Sequence, residues 1–440
     1  MDKLTRAAAL CLFFSVILQL IAPPTAAPAT VENGPMDWAY GWVVDSITVS
    51  GNEKTKPFVI LREMEMRVGD VLNKGVLERD KRYLADLSIF ANIEINADSI
   101  GFGRCALRIQ VIERSEFFLK TLAPTINYDF DKDGFEYGVK WEDKNFRGRN
   151  EQLGLSYERD ASDNDHVSFD WNAPWVGWRH IGLGFGFSYF HRADVPRSLA
   201  IVERSGWRAS AAFPITASRI SLAQVIGRLA MDQVRTGKED GNGENQVFVS
   251  PQIGLRLDSR DSPLRPRHGR YFFASILVSR SVTGREQFFY QLFNDIRLFA
   301  PLTEKAVLAV QSNLFHQFDE FPGYFDVGLG GAGTVRGYAD GKFIGSHRWY
   351  QSVEWRYTVL PRKVFRLPIL GHVDVVLNIV LFIDGGIVWD RREEFQLERF
   401  HGGTGFGVRL YSPYQDVIRF DFGFNERGDV FPYLNTGIRF

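Results

Sequence analysis

The chain is poor in cysteine and methionine, with 2 and 5 in 440 residues. Cys11 lies in an apolar N-terminal stretch that reads as a removable signal, so Cys105 alone is expected in the mature chain. That excludes an intramolecular disulfide. Charge of either sign is not in excess: 52 Lys and Arg face 53 Asp and Glu, for a net charge of -1. A nucleic-acid partner would need a basic surplus, so none is expected. Long hydrophobic runs are also missing beyond the N-terminus. The most apolar stretch, Val373 to Trp389, is broken by Asp374, Asn378, Asp384 and the pair Gly385-Gly386. A membrane helix carrying two acids would be costly. There is no zinc-ligand spacing, no phosphate loop and no Gly-x-Ser-x-Gly elbow. Gly331 to Gly337 reads G-x-G-x-x-x-G, one residue off a dinucleotide loop, and no helix follows. No catalytic residue, metal or cofactor is therefore expected, and an enzyme is the least favoured class.

What is abundant is aromatic residues and glycine: 37 Phe, 15 Tyr, 10 Trp and 41 Gly. These favour strands, tight turns and close-packed walls. A mean hydropathy of -0.16 does not exclude a membrane barrel, because alternating strands average out.

Residues 1–29 read as a signal peptide. Lys3 and Arg6 form the positive region, Ala7 to Ile21 the apolar stretch, and Ala27-Pro28-Ala29 a small-x-small cleavage pattern, with Thr25-Ala26-Ala27 a second choice. The apolar stretch is short for a span of ~20 residues, which argues against an anchor helix. Residues 30–42 are expected to be a linker.

From Val43 to Arg114 the pattern is β-α-α-β-β. Val44, Ile47 and Val49 give a strand ending at Gly51-Asn52. Lys56–Glu65 and Asn73–Leu87 read as helices, the second with Val76, Leu77, Tyr83, Leu84 and Leu87 on one face. Ile89–Asn96 and Ala106–Glu113 read as strands. The stretch Ile47 to Asn52, the Gly69-Asp70 turn, Asp80 to Leu87, Phe90 to Ile95 and Val111 to Glu113 resemble a POTRA domain, the polypeptide-transport-associated module. The resemblance implies a periplasmic location.

From 119 to 440 the period becomes two. Leu183, Phe185, Phe187 and Tyr189 alternate with Gly182, Gly184, Gly186 and Ser188. Ile418, Phe420, Phe422 and Phe424 alternate with Arg419, Asp421 and Gly423. One face of each strand is large and apolar, the other polar or glycine. Roughly sixteen such segments recur at about one per 20 residues, the spacing of a membrane strand plus its turn. Lipid demands closure, which an even number of antiparallel strands supplies. Trp171, Trp175, Trp178, Trp349, Trp389, Tyr411 and Tyr414 fall near strand ends, where an interfacial girdle would lie. The expected fold is an all-β transmembrane barrel of about 16 antiparallel strands behind an α+β domain.

One connection, 316–348, is long and glycine-rich and holds Val335-Arg336-Gly337-Tyr338. Long loops in a tightly connected barrel are usually functional. This motif, Leu257 to Asp261 continuing through Pro266 to Gly269, Phe382 to Gly386, and Gly405 to Arg409 with Ser412-Pro413 resemble the patterns of the outer-membrane protein assembly superfamily, the BamA/TamA-like surface antigen family. With the POTRA-like segment they cover nearly all of the mature chain in the family's order. The resemblance implies that the loop enters the lumen and that Arg336 meets acids on the inner wall. By strand parity Glu354 and Asp384 face inward and are the expected partners. A guanidinium can bond both. Leu434, Ile438 and Phe440 of the last strand resemble, in part, a C-terminal barrel signal, with glycine at 437 rather than 435. A seam is expected to close between a strand near Thr121 and this one.

The family resemblance implies a protein-insertion or translocation factor in the outer membrane. Its clients would be unfolded outer-membrane or secreted proteins, its POTRA-like domain would dock clients or periplasmic partners, and outer-membrane lipids would surround the barrel. A passive channel or porin is the alternative. Principal bacterial members usually carry several POTRA units, so the single one here points to a specialised or accessory role.

Overall fold

The computed structural model describes residues 36–440 except 115–119, 130–133, 161–163, 177–179, 193–200, 216–221, 238–242, 320, 368–370, 413–415 and 438. The expected signal peptide, Trp178, Tyr414 and Ile438 lie outside the described residues.

The N-terminal domain is β1 (Val43–Ser50), α1 (Pro57–Glu63), α2 (Lys74–Asp86), β2 (Phe90–Gly101) and β3 (Arg104–Glu113). The sheet order is β1-β3-β2, with β1 parallel and β2 antiparallel to β3. Pro57 suits the first turn of α1, where its missing N–H is no loss. The Asn73 side chain caps α2 by accepting from the Val76 N–H at 3.3 Å. Val59, Ile60, Leu77 and Leu84 of the helices meet Leu107, Ile109 and Val111 in one core. Asp80 is buried in it and accepts the Glu65 and Met66 amides at 2.6 and 3.1 Å, tying down the turn between the helices. The expected linker ends earlier than residue 42. A 3₁₀ turn at Asp37–Ala39 puts Met36 and Ala39 into this core, and Gly41 donates its N–H to the Leu72 carbonyl at 3.0 Å. Two apolar side chains and a backbone bond make residues 36–42 a lid on the domain.

The strands β4 (Lys120–Asp129), β5 (Gly134–Phe146), β6 (Glu151–Arg159), β7 (Asp165–Val176), β8 (Ile181–Arg192), β9 (Ile201–Pro214), β10 (Leu222–Gly237), β11 (Glu244–Asp258), β12 (Gly269–Thr283), β13 (Phe288–Pro301) and β14 (Ala306–Phe318) follow. A long connection carries β15 (Val327–Leu329) and β16 (Phe343–Gly345). Then come β17 (His347–Leu367), β18 (Gly371–Trp389), β19 (His401–Ser412), β20 (Asp416–Asn425) and β21 (Val430–Thr436). Apart from the small β15–β16 hairpin, these form a 16-stranded sheet in strict chain order.

Its two faces are inverted relative to a soluble protein. Leu122, Ile253, Leu381 and Ile383 point outward and are more than half exposed. Arg336, Glu354 and Asp384 point inward and are 0, 0 and 2 % exposed. A contiguous apolar exterior of this extent needs an apolar solvent. Among the described residues no helix is long and apolar enough to cross a membrane; the crossing is made by strands.

Several boundaries and two girdle positions differ from the sequence expectation. The connection expected at 316–348 is shorter at both ends, because β14 runs to Phe318 and β17 starts at His347. β17 and β18 outrun the strands 347–359 and 377–389 that the alternation predicts: their pairing continues from Leu360 opposite Leu377 to Leu367 opposite Gly371, past their neighbours. Pro361 masks this in the sequence, and a register shift between Leu360 and Lys363 accommodates it. Tyr411 lines a cavity at the mouth of the lumen and Trp389 is buried, so neither belongs to an outer girdle.

The expected closed seam is also corrected. Among the described residues no register joins β4 to β21, so the sheet stays open at that point. The chain's end departs from the strand as well. Gly437 has φ +88°, a conformation that suits glycine, and it turns the chain out of the sheet. Phe440 is then 0 % exposed inside the lumen, against Phe299 and Ala309, rather than on the lipid face. Leu434 keeps the outward position and is half exposed.

The N-terminal domain docks on the turns at one rim. The Lys56 amide donates to the Gly148 carbonyl at 2.9 Å, and Asn145 Nδ2 donates to Thr55 Oγ1 at 2.9 Å. Arg62 donates to the carbonyls of Trp175 and Arg149 at 3.2 and 3.1 Å. Ser262 Oγ donates to Asp86 Oδ1 at 2.8 Å.

Candidate functional site

The connection between β14 and β17 folds into the lumen and is held at two places. The first is aromatic. Phe321, Tyr324 and Phe325 pack against Val202, Val234, Phe248 and Phe289 on the inner faces of β9, β10, β11 and β13. The Tyr324 hydroxyl donates to Gln246 Oε1 at 2.9 Å.

The second is the Val335-Arg336-Gly337-Tyr338 motif, which faces β17 to β21. Val335 is buried with Leu329, Tyr338 and Tyr350. Arg336 donates from Nε to Asp384 Oδ2 at 2.7 Å and from Nη2 to Asp384 Oδ1 at 3.0 Å, a bidentate pair. Its Nη1 donates to Glu354 Oε1 at 2.8 Å and to Asp421 Oδ2 at 3.3 Å. Its own backbone N–H donates to Asp384 Oδ2 at 3.1 Å. The Phe382 ring lies 3.3 Å below the guanidinium. Of the residues singled out in the sequence, Arg336, Glu354 and Asp384 are thus together.

The neighbourhood is larger than two acids and one arginine. Arg409 bonds Asp421 at 2.5 Å and Glu354 at 3.3 Å. Arg356 bonds Glu354 Oε2 at 2.8 Å and the Phe440 carbonyl at 3.0 Å. Arg439 donates to both oxygens of Asp384 at 3.2 Å and to the Thr334 carbonyl. Ser352 Oγ donates to Asp384 Oδ1 at 2.6 Å. Three carboxylates and four guanidiniums therefore share one buried site, and each carboxylate oxygen meets at least one guanidinium. Carboxylates engaged in this way hold the loop to the wall: the arrangement is an anchor. The kinked chain end is part of the anchor through Arg439 and Phe440.

The motif's backbone is gripped as well. Gly337 and Tyr338 donate their amides to the Tyr433 hydroxyl at 2.9 and 3.1 Å, and that hydroxyl donates to the Tyr338 carbonyl at 2.7 Å. Gly403 allows the approach: a Cβ there would stand 1.8 Å from the Arg336 carbonyl oxygen. Asp421, Arg409, Arg439, Tyr433 and Gly403 were not singled out in the sequence. Parity could have placed Asp421 and Arg409 inward, since each alternates with large apolar neighbours.

Comparison with known proteins agrees with this architecture. The sequence model of the Omp85 superfamily domain matches residues 145–440, and that of POTRA, the surface antigen variable number repeat, matches residues 43–112. The outer membrane protein assembly factor BamA of Neisseria meningitidis serogroup B is 22% identical over 384 residues, which are 79% of this chain and 46% of that protein. The chain thus spans about half the length of that curated relative. BamA from Haemophilus ducreyi lacking POTRA domains 1–3 superposes with a TM-score of 0.53 at 16% identity, covering 90% of this chain and 83% of that one. CdiB from Acinetobacter baumannii gives 0.57 at 16% identity, covering 90% and 73%. CdiB from Escherichia coli gives 0.55 at 13% identity, covering 99% and 97%.

Proposed function

The chain belongs to the Omp85 superfamily, and from that premise we propose that it inserts or translocates other proteins at the outer membrane. The observation that carries this reading is the pair of sheet edges, β4 and β21, with no register between them among the described residues. An unpaired strand edge is a template for another chain. Lipid penalises such an edge, so it favours a client strand that would cover it. The N-terminal POTRA domain, on the periplasmic side in this reading, receives clients or partner proteins at the rim on which it is docked. The Arg336 anchor keeps the loop in the lumen and holds the wall β17–β21 rigid, so that opening is confined to the β4–β21 edge. The loop and its anchors occupy the lumen, which speaks against a passive channel.

The test is assembly. The full chain is placed in liposomes and offered an unfolded outer-membrane barrel protein, and folding is read by heat-modifiable mobility. Acceleration over empty liposomes is expected. In cells, depletion should lower a subset of outer-membrane proteins. No acceleration and an unchanged outer-membrane composition would sink the proposal.

A further inference from the structure

A concentration of positive charge lies at the mouth of the lumen, beneath the POTRA domain. A cavity of ≈ 640 Å³ is bounded there by α2 and β2 on one side. On the other are the β11–β12 and β13–β14 turns and the β17–β18 hairpin. Its size is within the ~300–1,000 Å³ of sites that enclose a ligand. Among the described residues lining it, seven are Lys or Arg and three are Glu or Asp. In a chain of net charge -1 this is a local surplus, not a reflection of composition.

We propose that this cavity docks an extended, acidic polypeptide segment. The inference rests on the insertion reading and specifies the kind of client segment received. Lys81, Arg82, Arg265 and Lys305 are exposed, and among the described residues none of them lies at ion-pair distance from a carboxylate. This is the opposite of the Arg336 anchor, where each guanidinium has its acid. Arg267 and Arg356 are spoken for by the Thr303 carbonyl and by Glu354. The acids offset only part of the surplus: Glu78, Asp86 and Glu304 stand among seven cations, and Asp86, which accepts from Ser262, also faces Arg265 and Arg82. The cations stand on both walls, Lys81 and Arg82 on α2, Arg265 and Lys305 on the barrel turns. Between them are Leu264, Pro361 and Tyr411, the last with Arg265 5.9 Å from its ring centre. A small anion would need cations converging on one point. Cations on two facing walls with apolar surface between suit a strand whose side chains alternate. β2 borders the cavity as an edge strand of its sheet, with Asn92 exposed on it.

Purified full-length protein in detergent is titrated against fluorescein-labelled twelve-residue peptides that alternate serine or valine with glutamate, glutamine or lysine. Fluorescence anisotropy is read at low and high salt. The glutamate peptide is expected to bind at least about tenfold tighter than the glutamine peptide, and to lose that advantage in salt. Lys81→Glu with Lys305→Glu should abolish the preference, and Lys81→Gln with Lys305→Gln should halve it or more. Both residues are exposed, so neither change threatens the fold. Arg392→Glu with Arg427→Glu, at the opposite rim, should change nothing. Equal binding of the glutamate and glutamine peptides overturns the inference, as does an equal loss in the opposite-rim variant. So does displacement of the glutamate peptide by inorganic phosphate at matched charge. Client assembly in liposomes is a separate readout, so these failures leave the insertion reading standing, whereas its own failure appears there.

Discussion

The Arg336 anchor and the lumen mouth both concentrate charge, and they do so in opposite ways. At the anchor, Asp384, Glu354 and Asp421 are matched by four guanidiniums, and the loop and the chain end are fixed by the match. At the mouth, seven Lys and Arg outnumber three Asp and Glu among the described lining residues. One desolvated carboxyl, Asp86, faces Asp261 as well as Arg265 and Arg82. A compensated cluster is stable only as a whole, because removing one member strands the rest. An uncompensated site waits for a partner or a proton. The first arrangement suits a fixed wall, the second a surface that responds.

The contrast is broken most forcefully at Arg336. Arg336→Ala takes from Asp384, Glu354 and Asp421 the guanidinium that all three share, leaves a gap among buried charges and should lower barrel stability by ~3–5 kcal/mol. Urea titration of the folded barrel in lipid, read by tryptophan fluorescence, measures this. Arg336→Lys keeps the charge but not the bidentate fork, and should fall between the wild type and alanine. A loss under about 1 kcal/mol for alanine would mean that the site is hydrated like an exposed pair.

The next largest effect belongs to the mouth and depends on pH. Burial pushes the Asp86 carboxyl up from 3.8 to about 6, offset in part by the bond from Ser262, with Asp261 raising it further and Arg265 and Arg82 lowering it. The folded chain therefore binds the proton more tightly than the unfolded chain does. Between pH about 4 and about 6 it carries more protons. The packing around Asp86 is thus most stable below that window and weakens as pH rises through about 6. The full swing is about 2–3 kcal/mol. Hydrogen exchange of the α2 amides at pH 4.5 and 7.5 should show faster exchange at the higher pH. Asp86→Asn should flatten the difference, since the amide still accepts from Ser262 and never ionises. A flat profile in the wild type would mean that this carboxyl is solvated.

Much of this organisation is legible in the sequence, and the limits have physical causes. Period-two alternation has a one-to-one counterpart in each of the sixteen strands of the sheet. Parity also puts Glu354 and Asp384 on the inner face. Parity says nothing about height along the barrel, which is set by strand stagger. For that reason Asp421 and Arg409, equally inward, could not be ranked with them. The chain end misleads for another reason. Tyr433 to Phe440 continues the strand alternation, but a single left-handed residue at Gly437 diverts Arg439 and Phe440 into the lumen. The alternation of side chains cannot report a backbone dihedral.

The smallest effect separates the two grips on the motif itself. Tyr433→Phe removes a hydroxyl that accepts two amides and donates to one carbonyl, all of the loop backbone. The site is only partly buried, so water can replace some of these bonds, and the cost should be about 1 kcal/mol. The carboxylate–guanidinium cluster is untouched, because Arg336 reaches Asp384 and Glu354 through its side chain. Exchange of the Gly337 and Tyr338 amides should therefore quicken while the urea midpoint barely moves. If Tyr433→Phe instead costs as much as Arg336→Ala, the loop is held by its backbone. The matched charges would then be serving the wall of β17 to β20, whose strands carry Glu354, Asp384, Arg409 and Asp421, and the loop would be a passenger on it.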